Sequence, residues 1–340
     1  MSPDAPEPAG PVYIESANNP GAYDREVFLV LKEFQPFFSR GGDMAMDMLS
    51  GAPMKELQEI GARADQRFPG PKGYEVGYEL FGINGKILGQ GEPVRVKAGE
   101  RILFHVLNAS AGEIRSLGLP GHRFRVVALD GNPVPMPAEV PVLWLGTAER
   151  ISAIVDMNHP GIWVLGDLDD DDRSNGMGIV VEYAGHRGSP VWVKPKPYRW
   201  DYTRFAKPDT QASPPDETIE ITIVKQNGAA NGFNRWTLND EAFSMEAMTP
   251  AYTVQEGRRY RLKFRNASDD IHPLHLHRHS FELTRIAGKP TAGVIKDVVM
   301  LSGFQELEFD FVADNPGLTL FHCHQQLHMD FGFMALFKYA

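Results

Sequence analysis

Two short stretches concentrate the side chains best suited to holding a soft metal. Residues 272–279 read His-Pro-Leu-His-Leu-His-Arg-His, and residues 322–328 read His-Cys-His-Gln-Gln-Leu-His. Together they hold seven of the 11 histidines and the one cysteine, Cys323. On a strand, residues two apart share a face. His275 and His277 therefore point to one centre, as do His322 and His324, while Cys323 points to the opposite side. One strand can serve two metal sites. A thiolate with two imidazoles and a weak or absent axial ligand is the blue-copper donor set. Imidazoles alone suit oxygen-binding copper. Zinc also takes Cys and His, and a Cys/His nucleophile pair is a third use. Seven histidines exceed the needs of one tetrahedral zinc, and a nucleophile pair would not require them, so copper is favoured.

The elements that position these residues are repeated. RVKAGERILFHVLNAS (95–110) echoes TVQEGRRYRLKFRNAS (253–268), and residues 114–124 line up with residues 271–281. Residues 161–184 run against residues 317–340 without a gap. Two copies imply two domains of one fold. Alternating stretches such as Gln305-Glu-Leu-Glu-Phe-Asp-Phe and Ile219-Glu-Ile-Thr-Ile read as half-buried strands. The 33 Gly and 26 Pro between them read as turns. The expected class is all-β, as two Greek-key β-sandwiches. The expected division is a tail at 1–22, a first domain at 23–186, a Pro-rich linker at 187–215 and a second domain at 216–340. One helix is predicted at 53–63, PMKELQEIGAR, with Pro at its start and Gly nearby.

The repeat is also an internal control. Where the second copy has His272, His275, His277 and His279, the first has Arg115, Gly118, Pro120 and His122. Against His322, Cys323, His324 and His328 stand Gly166, Asp167, Leu168 and Asp172. Histidines needed by the fold would track the repeat. Only the His122/His279 pair does, so both are read as structural, as are His105, His159 and His186.

Composition sets outer bounds. A net charge of -10 offers no basic face for phosphates and argues against nucleic acid. A single cysteine permits no internal disulfide. The N-terminal MSPDAPEPAGP lacks the basic and apolar regions of a signal peptide, and no apolar stretch reaches membrane-spanning length.

His272-Pro-Leu-His-Leu-His277 and His322-Cys-His-Gln-Gln-Leu-His328 resemble the two C-terminal signature motifs of multicopper oxidases, the laccase-like family. The likeness covers the whole second copy, and the first resembles the copper-free middle domain of three-domain members. It implies cupredoxin-like domains and copper as cofactor. It assigns His272, Cys323 and His328 to type 1 copper, His275 to type 2 copper, and His277, His322 and His324 to the type 3 pair. It implies single electrons taken from a small-molecule reducing substrate and passed through His322-Cys323-His324 to a trinuclear cluster that reduces O2 to water. A periplasmic or extracellular location follows from the same likeness.

Three departures stand out. The axial position, ten residues after the cysteine, is Phe333, whose ring cannot coordinate, so a three-coordinate type 1 site of raised potential is expected. Arg278 stands where the family often has Gly and is expected to point to solvent. The family completes its cluster with two further His-x-His pairs, and none occurs before residue 272. Gly10–Glu15 resembles the strand that follows those pairs, which leaves a separate chain or domain to supply them. The alternatives are a stand-alone type 1 electron-transfer protein and an inactive fragment. Lesser features are Met44, Met46, Met48 and Met54, read as core packing ahead of a cuprous site. Asp167 and Asp169–Asp172 are read as a solvated turn. Asn108-Ala-Ser110 and Asn266-Ala-Ser268 are read as framework turns.

Overall fold

A computed structural model describes residues 21–40 and 48–340. Met44, Met46 and Gly10–Glu15 lie outside the described residues; Met48 is buried. Strands carry the architecture because the sequence alternates. In Arg259–Asn266 every second residue is buried, which turns Tyr260, Leu262 and Phe264 inward and leaves the arginines and Lys263 facing out. Those outward cations pair with Asp310, Glu282, Glu308 and Glu306 on neighbouring strands.

The chain divides into two compact units. The first comprises residues 21–36, Tyr78–Pro133 and Pro137–Tyr198. One of its sheets runs Val94–Val96, Gly178–Tyr183, Ile162–Gly166, Arg115–Gly118, Val142–Leu145. In the other the order is Arg25–Arg40, Arg101–Asn108, Arg150–Asp156, Phe124–Leu129, Asn132–Val140. The second unit repeats both. Its small sheet runs Tyr252–Val254, Met334–Tyr339, Thr319–Cys323, His272–Leu276, Val298–Leu301. Its larger sheet runs Phe233–Leu238, Glu217–Ala230, Arg259–Asn266, Glu306–Val312, Phe281–Ile286, Lys289–Lys296. Even the register repeats: Arg25 to Leu31 pair in parallel with Ile102 to Asn108, as Glu217 to Ile223 do with Tyr260 to Asn266. The fold is all-β, two sandwiches of one topology.

The predicted helix is Lys55–Arg67, beginning two residues later and ending four residues later than expected, with Leu57 and Gly61 buried. Residues 48–77, expected in the first domain, group with the second unit. The stretch expected to be a linker divides at Tyr198. Before that point Val191 bridges to Trp163, and Pro195 lies so close to Gly118 that a Cβ there would come within 2.8 Å of it. After it, Trp200, Tyr202 and Phe205 are buried in the second unit. Its aromatic residues, spaced without a period, hid this packing from the sequence.

Both Asn-Ala-Ser segments are framework turns. Asn108 donates to Glu113 O and Leu145 O and accepts from Ser110 N–H; Asn266 does the same with Asp270 O, Ser302 O and Ser268 N–H. A buried amide that satisfies three backbone groups holds one loop shape in both units.

Candidate metal centre

Two adjacent strands of the small sheet in the second unit build the site. His272–Leu276 pairs antiparallel with Thr319–Cys323, placing Leu274 opposite Cys323 and His275 opposite His322. Paired residues share a face. Cys323 therefore joins the face of Leu274 and His272, and His322 joins that of His275. His328 returns to the cysteine side from the short helix Gln326–Asp330.

On the cysteine side, Cys323 Sγ lies 3.7 Å from His272 Nδ1 and 3.7 Å from His328 Nδ1. All three residues are buried. An ion about 2.0 Å from each nitrogen and about 2.3 Å from sulfur would subtend about 120° at those separations, the angle of a trigonal site. Both rings have their far nitrogens anchored. His272 Nε2 meets Ser268 Oγ at 3.0 Å, and that hydroxyl donates to Asn266 Oδ1 at 2.8 Å. His328 Nε2 stands 3.8 Å from Glu75 Oε2. The Ser268 contact orients His272 with a bare Nδ1 toward the sulfur, and the Glu75 carboxylate orients His328 the same way, with a proton on Nδ1 that an incoming metal displaces. The donors fit copper.

Aromatic rings close this pocket. Trp236 packs against His272 and His328 with centroids 4.7 and 4.4 Å apart. Phe333, fully buried, lies 4.8 Å from the His272 ring. Its N–H donates to His328 O and its carbonyl accepts from Cys323 N–H, so the phenyl is held as a wall beside the donors. Burial holds the His272 imidazole well below the usual histidine range. His328 feels the same burial, but the adjoining Cys323 sulfur and the Glu75 carboxylate outweigh it and lift the metal-free group to about 10.

On the opposite side, the ligand nitrogens of His275, His277 and His322 all lie within 4.8 Å of one another. His275 Nδ1 donates to Asp297 O at 2.7 Å and His322 Nδ1 to Cys323 O at 2.9 Å, which leaves both Nε2 atoms bare. His277 Nε2 and His322 Nε2 face each other at 3.0 Å. Burial, with the neighbouring imidazoles adding to it, pulls His322 down to about 3, so it stands neutral and ready to ligate. His324 borders the group, 5.2 Å from His322 and 5.7 Å from His275 between centroids, without joining its closest nitrogens. His277 is exposed.

The remaining histidines behave otherwise. His122 donates Nδ1–H to Pro120 O and accepts at Nε2 from the Tyr183 hydroxyl; His279 does so with His277 O and Tyr339. Both rings are spent on the framework. Arg278 has φ +65, the left-handed region that favours glycine, and its guanidinium donates to Asn315 and Pro316. It is tied to a turn and does not reach the histidine group. The acidic stretch is a one-turn helix, Asp170–Ser174, capped by Asp169, and Asp167 is buried against Ser116, so that residue departs from the expected solvated turn. Gln325 was missed: its amide lies 3.7 Å from Cys323 Sγ, and only the packing of the short helix reveals it.

Family models described as multicopper oxidase match residues 187–340 and residues 64–182. The chain is 27% identical over 340 residues to the multicopper oxidase MmcO of Mycobacterium tuberculosis, covering 97% of this chain and 65% of that protein. It is 24% identical to laccase-2 of Trametes villosa, covering 79% of this chain and 60% of the relative. The chain thus spans less than two thirds of either relative. Among solved structures, Fet3p, a multicopper oxidase that functions in iron import, aligns with TM-score 0.67 at 16% identity over 96% of this chain and 68% of its own. The laccase of Botrytis aclada aligns with TM-score 0.66 at 17% identity over 93% of this chain and 64% of its own. These structural likenesses bear on the fold.

Proposed function

As this chain belongs to the multicopper oxidase family, whose members bind copper, we propose that it carries the type 1 copper site and half of the trinuclear cluster of a laccase-like oxidase. Bound copper would supply one-electron transfer at the Cys323 centre and reduction of O2 to water at the cluster. His272, Cys323 and His328 hold the type 1 ion, and Phe333 walls it without coordinating. His275 serves type 2 copper, and His277, His322 and His324 serve the type 3 pair. A further chain or domain bearing two His-x-His pairs completes the set.

The chain's own residues do three things for this chemistry. Ser268 and Glu75 hold the two type 1 imidazoles with Nδ1 turned to the sulfur. Trp236 and Phe333 keep water from the thiolate, which strengthens its bonding in a low-dielectric pocket. His322-Cys323-His324 links the two faces through covalent bonds, with His322 Nδ1–H to Cys323 O as a shortcut. The reducing substrate is a small molecule, and the family's usual setting places the protein in the periplasm or outside the cell. Among the described residues no helix is long and apolar enough to cross a membrane.

The observation that carries the proposal is the convergence of one sulfur and two imidazole nitrogens at 3.7 Å, backed by three imidazoles on the other face of the same strands. The test is copper stoichiometry with visible and paramagnetic-resonance spectra on the purified chain. One tightly held copper with an intense blue thiolate band is expected, with the cluster filled when the His-x-His partner is supplied. Absence of the band would overturn the type 1 assignment and favour zinc. Near four coppers in this chain alone, with oxygen consumed, would overturn the shared cluster.

A further inference from the structure

We propose that the side-chain amide oxygen of Gln325 is a fourth donor to the ion held by His272, Cys323 and His328. The inference rests on the type 1 reading above. Gln325 occupies the N-cap position of the short helix Gln326–Asp330, yet its side chain makes no capping hydrogen bond there. It turns into the pocket instead, only 5% exposed. There Oε1 accepts from the Cys323 thiol at 3.7 Å, the same separation at which both imidazole nitrogens stand from that sulfur.

Cysteine binds metal as thiolate, so an ion on its sulfur meets the atoms gathered around that sulfur. Oε1 is one of three such atoms, at the same distance as the two imidazole nitrogens. With metal–sulfur and metal–oxygen lengths of about 2.3 and 2.2 Å, a 3.7 Å separation corresponds to an angle of about 110°, an ordinary value for two donors on one ion. Glutamine oxygen is among the weak axial ligands that trigonal thiolate–imidazole copper accepts. Phe333 offers no donor, so the fourth bond comes from two residues after the cysteine and not from ten.

A neutral oxygen is a hard donor, so it favours the oxidised ion over the cuprous one and lowers the potential relative to a three-coordinate site. If the amide were turned the other way, N–H would donate to the thiolate and raise the potential. The two arrangements move it in opposite directions, and an O/N exchange in a glutamine is decided by its partners.

The experiment uses the full chain loaded with copper, as wild type, Gln325→Leu and Gln325→Glu, read by visible and paramagnetic-resonance spectra and by redox titration. The blue band is expected in all three, with the potential highest in Gln325→Leu, intermediate in wild type and lowest in Gln325→Glu. A change in the copper hyperfine pattern should accompany the leucine variant. An unchanged or lowered potential in Gln325→Leu would overturn the assignment while leaving type 1 copper standing. Should the leucine variant fail to fold, double resonance on the wild-type copper form in H2O and D2O decides. No strongly coupled exchangeable amide proton is expected, and finding one from the Gln325 side chain would place N–H on sulfur. A wild type without a thiolate band removes the type 1 reading and this inference with it.

Discussion

At the position where the second unit carries His272, the first carries Arg115, and the surroundings correspond residue by residue. His272 Nε2 meets Ser268 Oγ, and Arg115 Nε meets Ser110 Oγ at 3.3 Å. Trp236 packs on the imidazoles, and Phe81 lies under the guanidinium at 4.4 Å. Asp167 and Asp172 replace Cys323 and His328, and Arg115 pairs with Asp172 and with Glu33 at 2.8 Å. Glu33 itself stands where the second unit has Lys225, which pairs with Asp269 and Asp270. On the far face, Gly118 and Gly166 face each other in the register that His275 and His322 occupy, and Pro195 covers Gly118. One framework thus encloses a polar hole that must be filled by a cation. In the proposed reading the second unit leaves it to a metal; the first fills it with a covalently attached guanidinium.

If that is what Arg115 does, removing it should cost more than any other single change in the first unit. Its charge and hydrogen bonds answer buried carboxylates that would otherwise be left unpaired, a loss of about 3–5 kcal/mol. Arg115→Met is therefore expected to lower the denaturant midpoint sharply, while the thiolate band of the second unit persists in whatever fraction stays folded. A midpoint within experimental error of wild type would mean the guanidinium is not the filler.

The acidic partners give a second handle. Burial, with Glu33, Asp172 and Asp167 adding to it against the pull of Arg115, raises Glu113 from 4.5 to about 7. Burial likewise raises Asp172 from 3.8 to about 6 despite Arg115. Each carboxyl takes up a proton on folding between its unfolded and folded values, so stability falls as pH rises from about 4 to 7. Hydrogen exchange along Arg101–Asn108 in the metal-free chain should show the first unit looser at pH 8 than at pH 5. Glu113→Gln should remove part of that slope and gain on the order of 2 kcal/mol at pH 8. A slope that the variant leaves intact would locate the titration elsewhere.

The strands and the grouping of both candidate ligand sets are legible in the sequence because the relevant signals are local. A period of two reports burial, and His-x-His or His-Cys-His on a strand reports which side chains share a face. The repeat by itself exposes the difference between the two units. What stayed hidden depends on contacts between distant segments. Glu75 reaches His328 from 253 positions away, and nothing in Tyr-Glu-Val marks it. The run of aspartates looked like a solvated turn because composition cannot show that Arg115 is buried beneath it. Gln325 escaped because the axial donor was sought at Phe333, and helix start geometry alone turns the amide inward.

The smallest expected effect separates the two fillings most cleanly, because it compares the same atom in both units. Ser110 and Ser268 each offer a hydroxyl to the group at the centre of their site. In the first unit, Ser110→Ala removes one hydrogen bond to a guanidinium that keeps its two carboxylates, so about 1 kcal/mol of stability should go and copper content should not change. In the second, Ser268→Ala frees His272 to rotate and to carry its proton on either nitrogen. Groups in that role typically sustain about 10–100-fold in metal affinity. Competition with a copper chelator is therefore expected to show Ser268→Ala losing copper about tenfold more readily, with little change in the metal-free unfolding midpoint. If both variants shift only stability, the serine is part of the scaffold in both units, and the anchoring of His272 falls to Trp236 alone.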